Sequence, residues 1–150
     1  MAPGKSVIRE ILPHEFTDEN FGRLAQTADA KCKPPRRFNP EHYFPTMKQL
    51  MEIDMAKAWT NEARNAFLVA LFSRNIFSGD NVGLVQFWVS SGADNQASLD
   101  LLAEFQAEAA RRGCAATYAS AFRNYRTAGM TRLFRRLGYE PHEMGFVKML

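Results

Sequence analysis

Short apolar runs with the length of strands recur along the chain. Residues 67–73 form an almost unbroken apolar run and residues 83–90 form another, which is typical of strands covered on both faces. Between them, Ser78-Gly79-Asp80-Asn81 predicts a turn, because these residue types favour tight backbone geometry. Shorter strands are predicted at residues 7–12, 56–60, 115–120 and 145–150, and a further turn at residues 61–65.

Helical spacing dominates two segments of the first half. Residues 18–30 carry apolar side chains at helical intervals behind a cap at Thr17 or Asp18. Residues 31–45 contain four prolines, which remove backbone donors and predict a loop. Pro45 suits the first turn of a second helix, because a proline at that position loses no helical hydrogen bond.

Two further helices are predicted in the second half. The first starts at Leu99, after a polar loop at residues 91–98, and Gly113 ends it. Its inward-facing side chains are Leu101, Leu102, Phe105 and Ala109. The second helix ends at Gly138 and carries an apolar stripe at i, i+3, i+4 and i+7 spacing. This stripe consists of Met130, Leu133, Phe134 and Leu137.

The predicted elements follow the order strand, two helices, three strands, helix, strand, helix, strand. Strands that alternate with helices in the C-terminal half predict a mixed, partly parallel sheet flanked by helices. A chain of 150 residues has the usual length of one domain. The sequence therefore predicts a single α/β domain over residues 1–150.

Composition narrows the class of protein. Apolar residues make up 46% of the chain and charged residues 23%, which is typical of a globular protein and not of a disordered one. No apolar run approaches the roughly 20 residues of a membrane span, and the first ten residues lack an apolar signal region. We therefore expect neither membrane contact nor secretion. The three histidines have no metal-ligand spacing, and Cys32 and Cys114 are expected to be free thiols, so no metal site is predicted.

A small positive charge is unevenly distributed. The formal net charge is +3, too low by itself to indicate nucleic-acid binding. Arg132, Arg135 and Arg136, however, fall opposite the apolar stripe of the last predicted helix. One interpretation is a solvated helix face, and the other is a surface that meets an acidic protein or a phosphate backbone. Arginine at all three positions favours contact, because a guanidinium pairs bidentately with such groups.

Several sequence words resemble the GNAT (GCN5-related N-acetyltransferase) superfamily. They are the pair Phe87-Trp88, the helix end Arg111-Arg112-Gly113-Cys114, and the segment RLFRRLGY at residues 132–139. The resemblance covers about residues 7–150. It is closest to GNAT-like proteins of tailed phages, in which a segment like FNPEHYFPTMKQLMEID precedes a strand with the FW pair. It implies a GNAT fold, with a mostly antiparallel sheet whose one parallel strand pair splays apart around acyl-CoA.

In GNAT enzymes the loop after the splayed strand holds the pyrophosphate with backbone N–H groups and glycines. The resemblance places the cofactor-binding positions at Val89, Ser91, Asn95, Gln96, Ala97 and Ser98. In this chain Gly92 comes early, the later glycines are replaced, and Asp94 adds a negative charge that opposes a diphosphate. We therefore expect no cofactor, and acetyl-CoA if the protein is active.

The catalytic positions of the family are also altered. Many GNAT enzymes carry a tyrosine in the last helix that protonates the leaving thiolate, and the matching residue here is Phe134. Phage relatives have a carboxylate where this chain has Gln86, which is no base at neutral pH. Tyr125 is a candidate to replace the phenol, or packs as an ordinary aromatic residue. Glu143 is a candidate in the turn before the last predicted strand, or a solvated residue of that turn.

Three hypotheses follow. The preferred one is a non-catalytic phage protein that contacts other phage structural proteins or copies of itself, in the host cytoplasm during assembly and in the virion. The second is an active acetyl-CoA-dependent N-acetyltransferase, and the third is a DNA-proximal module that contacts packaged DNA through its arginines. A cleft between residues 83–90 and 115–120 that is filled by Trp88 or Phe134 would favour the first hypothesis.

Overall fold

A five-stranded sheet is the centre of the computed structural model, which describes residues 7–34, 36–91, 95–120, 127–142 and 146–150. Its strands lie in sequence order: β1 (Ile8–Ile11), β2 (Ala56–Asn61), β3 (Ala66–Arg74), β4 (Asn81–Ser90) and β5 (Ala116–Tyr118). The first three pairings are antiparallel and the pairing of β4 with β5 is parallel. Four α-helices accompany the sheet: α1 (Arg23–Cys32), α2 (Pro40–Glu52), α3 (Asn95–Arg111) and α4 (Thr127–Arg136). The predicted mixed α/β architecture is confirmed.

Strand β3 is covered on both faces, as its apolar run predicted. Residues 66–70 are all buried, and their side chains alternate between two separate clusters. The turn before β3 is built by Asn61, whose side-chain oxygen accepts hydrogen bonds from the backbone N–H groups of Asn65 (3.1 Å) and Ala66 (3.2 Å). The turn predicted at residues 61–65 is therefore confirmed, and it sets the register of β2 against β3.

The first cluster lies under α1 and α2. It contains the aromatic rings of Phe16, Phe21, Phe44 and Phe67, whose centroids lie 5.0–5.7 Å apart in four tilted or edge-on pairs. The predicted cap is confirmed at Thr17, whose hydroxyl accepts a hydrogen bond from the Asn20 N–H at 3.2 Å. One π-helical turn at residues 18–22 follows and continues directly into α1.

The predicted start of α2 was wrong. The helix begins at Pro40 and not at Pro45, so residues 40–45 are helical and not part of a loop. Pro40 occupies the first helical position, where a missing N–H costs nothing, and Pro45 is tolerated inside the helix at the loss of one backbone hydrogen bond. The earlier start turns Phe44 into a core residue.

The second cluster lies under α3. All four side chains predicted to face inward on this helix are buried, together with Ala97, and they pack on Trp59, Leu68 and Phe72. The helix begins at Asn95 and not at Leu99, so half of the predicted polar loop is its first turn. Gly113 and Gly138 follow α3 and α4 with φ of +70° and +90°, the left-handed geometry that ends helices.

The strand predicted at residues 145–150 is not formed by residues 146–150. Their backbone lies in no sheet, and Phe146 is 88% exposed. A short apolar run becomes a strand only where a sheet edge accepts its hydrogen bonds, and the sheet ends at β5 within the described residues.

A network of charges joins α3 to the sheet. The buried carboxylate of Glu108 accepts hydrogen bonds from Lys57 of β2 (3.1 Å), Arg111 (2.8 Å) and Arg112 (3.3 Å). Burial by itself raises the pKa of Glu108, but the hydrogen bonds and charges of Arg111 and Lys57 outweigh it, so the pKa is lowered. Arg112 also binds Asp54 at 2.6 Å, which extends the network to the residues between α2 and β2.

We expect Phe67→Ala to lower the free energy of unfolding by about 3–5 kcal/mol, because it leaves a cavity among the rings of the first cluster. Urea denaturation measures this change. The matched control is Phe146→Ala at an exposed position, for which we expect a change within about 0.5 kcal/mol. Equal effects of the two variants would contradict the assignment of this core.

We expect Glu108→Gln to cost about 1–3 kcal/mol at pH 7, because three cationic partners lose a charged acceptor. A lowered folded-state pKa means that this stability is present above the ordinary carboxyl pKa and is lost as pH falls through the lowered value. Thermal melts should therefore separate the two proteins at pH 7 and converge as the pH falls below the lowered pKa of Glu108. Glu104→Gln, at an exposed pair 3.6 Å long, is the control and should change little at any pH.

Candidate functional site

A β-bulge interrupts strand β4 at its middle. Val69 of β3 faces Phe87 and the next residue, Ala70, faces Val85, so Gln86 has no partner opposite it. The side-chain oxygen of Gln86 accepts a hydrogen bond from the Tyr43 hydroxyl of α2 at 2.7 Å. The candidate catalytic residue Gln86 is therefore held against α2 by a specific contact.

Tyr43 is a residue of this site that the sequence did not indicate. Burial raises the pKa of its hydroxyl, so the group stays protonated and acts as a donor to Gln86 at every ordinary pH. Its ring also packs edge-on against Phe87, with centroids 5.9 Å apart. The segment was predicted as a loop; a helix start at Pro40 would have placed Tyr43, Met47 and Leu50 on one helical face.

Strands β4 and β5 stay together over a short distance only. Their parallel register contains three pairs, from Val82–Ala116 to Leu84–Tyr118. Strand β4 continues to Ser90, whereas β5 ends at the last pair. Within the described residues, positions 85–90 of β4 therefore have no partner on the β5 side. This is the place at which the resemblance expects two strands to open.

Aromatic side chains fill the region beside this opening. Trp88 of β4 packs against Phe134 of α4 with ring centroids 6.0 Å apart, and Phe134 packs against Tyr139 at 5.4 Å. Phe134 is only 9% exposed, and both Trp88 and Tyr139 lie against the second core cluster. We call Trp88, Phe134 and Tyr139 the aromatic plug.

Polar groups fix the aromatic plug to α3 and β5. The side-chain amide of Gln106 donates hydrogen bonds to the hydroxyl oxygens of Thr117, at 2.9 Å, and of Tyr139. Thr117 lies in the paired part of β5, so the plug is tied to the sheet as well as to the helix. The Nε1 atom of Trp88 is buried and has no hydrogen-bond partner within the described chain.

Two of the expected cofactor-binding positions face or bind parts of the protein itself. The side chain of Val89 is buried in the first cluster, away from the aromatic plug. The N–H group of Ser91 donates a hydrogen bond to the Asn65 carbonyl at 2.9 Å, which extends the pairing of β3 with β4 by one residue. That N–H group is therefore not available to a pyrophosphate.

The other four positions belong to the first turn of α3. Ala97 is fully buried, and the Gln96 side-chain amide donates to Asp100 at 2.9 Å along the helix. Asn95 begins the helix and Ser98 is half-buried in the same turn. The Gln96 amide therefore serves the helix and Ala97 serves the core, so neither side chain is free to contact a diphosphate.

The remaining predictions have mixed outcomes. Tyr125 and Glu143 lie outside the described residues, as do Gly92 and Asp94 of the predicted loop. The three arginines of α4 are exposed, as either interpretation requires: Arg132, Arg135 and Arg136.

Cys32 and Cys114 are free and half-buried, as predicted, and burial raises the pKa of both thiols. The part of the chain that is described holds no metal-binding group of three or more His, Cys, Asp or Glu side chains. It also contains no helix with the length and hydropathy to cross a membrane.

Solved structures with the same architecture include acetyltransferases. A ribosomal-protein-alanine N-acetyltransferase from Brucella melitensis is similar at 12% identity, with a TM-score of 0.73, 98% of this chain and 100% of that chain covered. An aminoglycoside acetyltransferase from an uncultured soil metagenomic sample gives a TM-score of 0.73 at 11% identity, with 97% of each chain covered. A transcriptional regulator from Bacillus halodurans gives 0.76 at 14% identity, with 97% of this chain and 99% of that chain covered.

These likenesses establish the fold of the chain as the GNAT fold, and at such low identity they concern the fold alone. No protein-family model matches the sequence, and no curated protein matches it. The similarity to phage proteins stays a prediction.

We expect Phe134→Ala to admit water to Trp88 and to shift its fluorescence emission to longer wavelength, because Phe134 covers the indole. The measurement uses a Trp59→Phe background, so that Trp88 is the only fluorescent indole. The unfolding free energy should fall by about 3–5 kcal/mol. Leu137→Ala, which is 44% exposed on the same stripe, is the control and should leave the emission unchanged. An unshifted spectrum for Phe134→Ala would show that the plug does not shield Trp88.

Proposed function

We propose that this GNAT-fold chain does not transfer acetyl groups and acts through contacts with other proteins. The observation that carries the proposal is the packing of Trp88 against Phe134 beside the opening between β4 and β5. The resemblance implies that an acyl-CoA arm would enter beside this opening. The two rings pack on one another there, and Trp88 lies against the second core cluster, which supports the proposal.

Opening the cleft would carry a free-energy cost. Moving a buried ring such as that of Phe134 into water costs about 1.5–3 kcal/mol, and the indole of Trp88 adds to this. The plug would also have to give up the hydrogen bonds that Gln106 makes. A cofactor would have to supply this free energy out of its own binding, without the donors that Ser91 and Gln96 use elsewhere.

The chemical groups near the opening support the same proposal. Phe134 has no proton to give to a thiolate, and the amide of Gln86 accepts no proton at neutral pH. The nearest phenol to Gln86 is Tyr43, which is held protonated and already donates to it. None of these three residues is a base that would activate an amine.

The setting of these contacts is a phage particle, on the resemblance of residues 38–54 and of the Phe87-Trp88 pair to GNAT-like phage proteins. The partners are other structural proteins of the phage or copies of the chain itself, during assembly in the host cytoplasm and in the virion. The exposed arginines of α4 supply a surface for an acidic partner or for packaged DNA: Arg132, Arg135 and Arg136.

A second candidate function is an active acetyl-CoA-dependent N-acetyltransferase. One observation favours it: the buried Nε1 atom of Trp88 lacks an acceptor in the described part of the protein. An unpaired buried donor costs about 1–3 kcal/mol, and an acceptor on a bound ligand would remove that cost. The pairing of β4 with β5 is also short, as the resemblance expects beside an acyl-CoA cleft.

Titration with acetyl-CoA tests both candidates. We expect no rise in melting temperature at 1 mM acetyl-CoA, because the aromatic plug lies beside the opening and the donors of Ser91 and Gln96 already bind within the protein. A ligand at 100 times its Kd would add about 2.7 kcal/mol, or several degrees for a chain of this size. The positive control is a catalytically active acetyltransferase of the same fold in the same buffer.

A rise of several degrees would overturn the non-catalytic proposal. In that case Gln96→Glu should reduce the rise, because it puts a negative charge on the first turn of α3, where the pyrophosphate would bind.

A further inference from the structure

The turn between β3 and β4 carries two large apolar side chains in full contact with water. Ile76 and Phe77 are each 102% exposed, so the described part of the protein covers neither side chain. Leaving such side chains in water forgoes about 1.5–3 kcal/mol each relative to burial. Exposed apolar side chains next to one another are typical of a contact surface.

The backbone of this turn is fixed by hydrogen bonds. The side-chain oxygen of Asn75 accepts from the N–H groups of Phe77 (2.9 Å) and Ser78 (3.0 Å), and the Asn75 N–H donates to the Asp80 carbonyl at 2.7 Å. Gly79 supplies the left-handed residue, with φ of +80°. The two apolar side chains are thus presented on an ordered turn, so that binding a partner has little ordering entropy left to lose.

A pocket lies at the base of the same hairpin. Its volume is about 360 Å³, and it is open to solvent and lined mostly by polar side chains. The lining includes Phe72, over whose ring the guanidinium of Arg112 lies at 4.0 Å from the ring centroid. Arg74 and Asn81, the residues at the two ends of the turn, form part of the wall. Because the guanidinium of Arg112 covers the buried ring of Phe72, an aromatic ring entering this pocket would meet that planar cation and the side chain of Val82.

We propose that two copies of the chain associate through these hairpins, with the apolar tip of each copy in the pocket of the other. The tip and the pocket lie on one hairpin. A two-fold axis beside the hairpin therefore places the tip of each copy in the pocket of the other, so that both tips and both pockets are occupied. One interface therefore buries the four exposed apolar side chains, Ile76 and Phe77 from each copy.

The charges beside the tip suit this arrangement. Neither Arg74 nor Asp80 takes part in an ion pair within the residues that the structure describes, although both are exposed. Arg74 is the last residue of β3 and Asp80 directly precedes β4, so the two charges lie on either side of the turn. In a two-fold dimer, a contact between Asp80 of one copy and Arg74 of the other occurs twice, and this charge complementarity favours a second copy over an unrelated apolar surface.

This inference names a second copy of the chain as the partner in the proposed protein contacts, and it rests on that proposed function. The two are tested separately, because self-association is measured without acetyl-CoA. Turnover of an amine would overturn the proposed function and leave the dimer result as it stands.

Sedimentation equilibrium between roughly 10 µM and 500 µM tests the dimer. We expect concentration-dependent dimerisation of the wild-type chain and at least about tenfold weaker association for Phe77→Ser, because the tip loses its apolar anchor. The matched control is Phe146→Ser, at another exposed phenylalanine, which should associate like the wild type. A wild-type chain that stays monomeric throughout, or equal effects of the two substitutions, would overturn the proposal.

A charge exchange tests the geometry independently of the apolar tip. Arg74→Asp and Asp80→Arg should each weaken association, because each creates two like-charge contacts across the two-fold axis. The double variant restores both pairs with reversed polarity, and its association should return to within about threefold of the wild type. Failure of the double variant to recover would rule out this pairing. Both positions are exposed, so circular dichroism should show unchanged folding for each variant.

Discussion

Strand β4 is shared between an antiparallel neighbour along its whole length and a parallel neighbour along three residue pairs. Within the described residues, β4 has no strand partner on the β5 side beyond Leu84, so side chains from other elements cover it there. In this chain the cover is aromatic, with Trp88 packed on Phe134 and Phe134 on Tyr139. The short pairing of β4 with β5 therefore leaves a part of β4 that apolar side chains cover.

The hydrogen bonds around the opening follow from that cover. Gln106 reaches from α3 to both Thr117 and Tyr139, which holds the end of α4 against the paired part of β5. On the other face of the sheet, the β-bulge turns Gln86 towards Tyr43. The β-bulge and the short pairing of β4 with β5 thus occur on the same strand, and the side chains at both places bind one another.

The opposite end of the sheet has a different character. There, the network around Glu108 fixes the end of α3 to β2, and Arg112 carries the network to Asp54 and over the ring of Phe72. This rigid, charged base holds the β3–β4 hairpin, whose tip is apolar and exposed. A firm base beneath an apolar tip is the condition under which a short hairpin can act as a contact element, because the tip loses little freedom on binding.

Local pattern determined much of this protein. The two-sided burial of β3, the inward face of α3, the cap at Thr17 and the glycines that end α3 and α4 could all be predicted, because each depends on residues a few positions apart. Phe134 and Gln86 could be identified from single positions, and the resemblance implies that they replace a phenol and a carboxylate. The sequence also predicted the alternation of strands and helices that makes the sheet mixed.

Only the tertiary structure decided what fills the opening and what each loop residue binds. Trp88 and Phe134 are 46 positions apart by their numbers, and nothing local predicts that their rings meet. The start of α2 was missed because two prolines compete for the first helical turn and packing of Phe44 selects Pro40. The last apolar run was predicted as a strand, yet a strand requires a free sheet edge, and pairing of edges is a property of the folded chain and not of the segment.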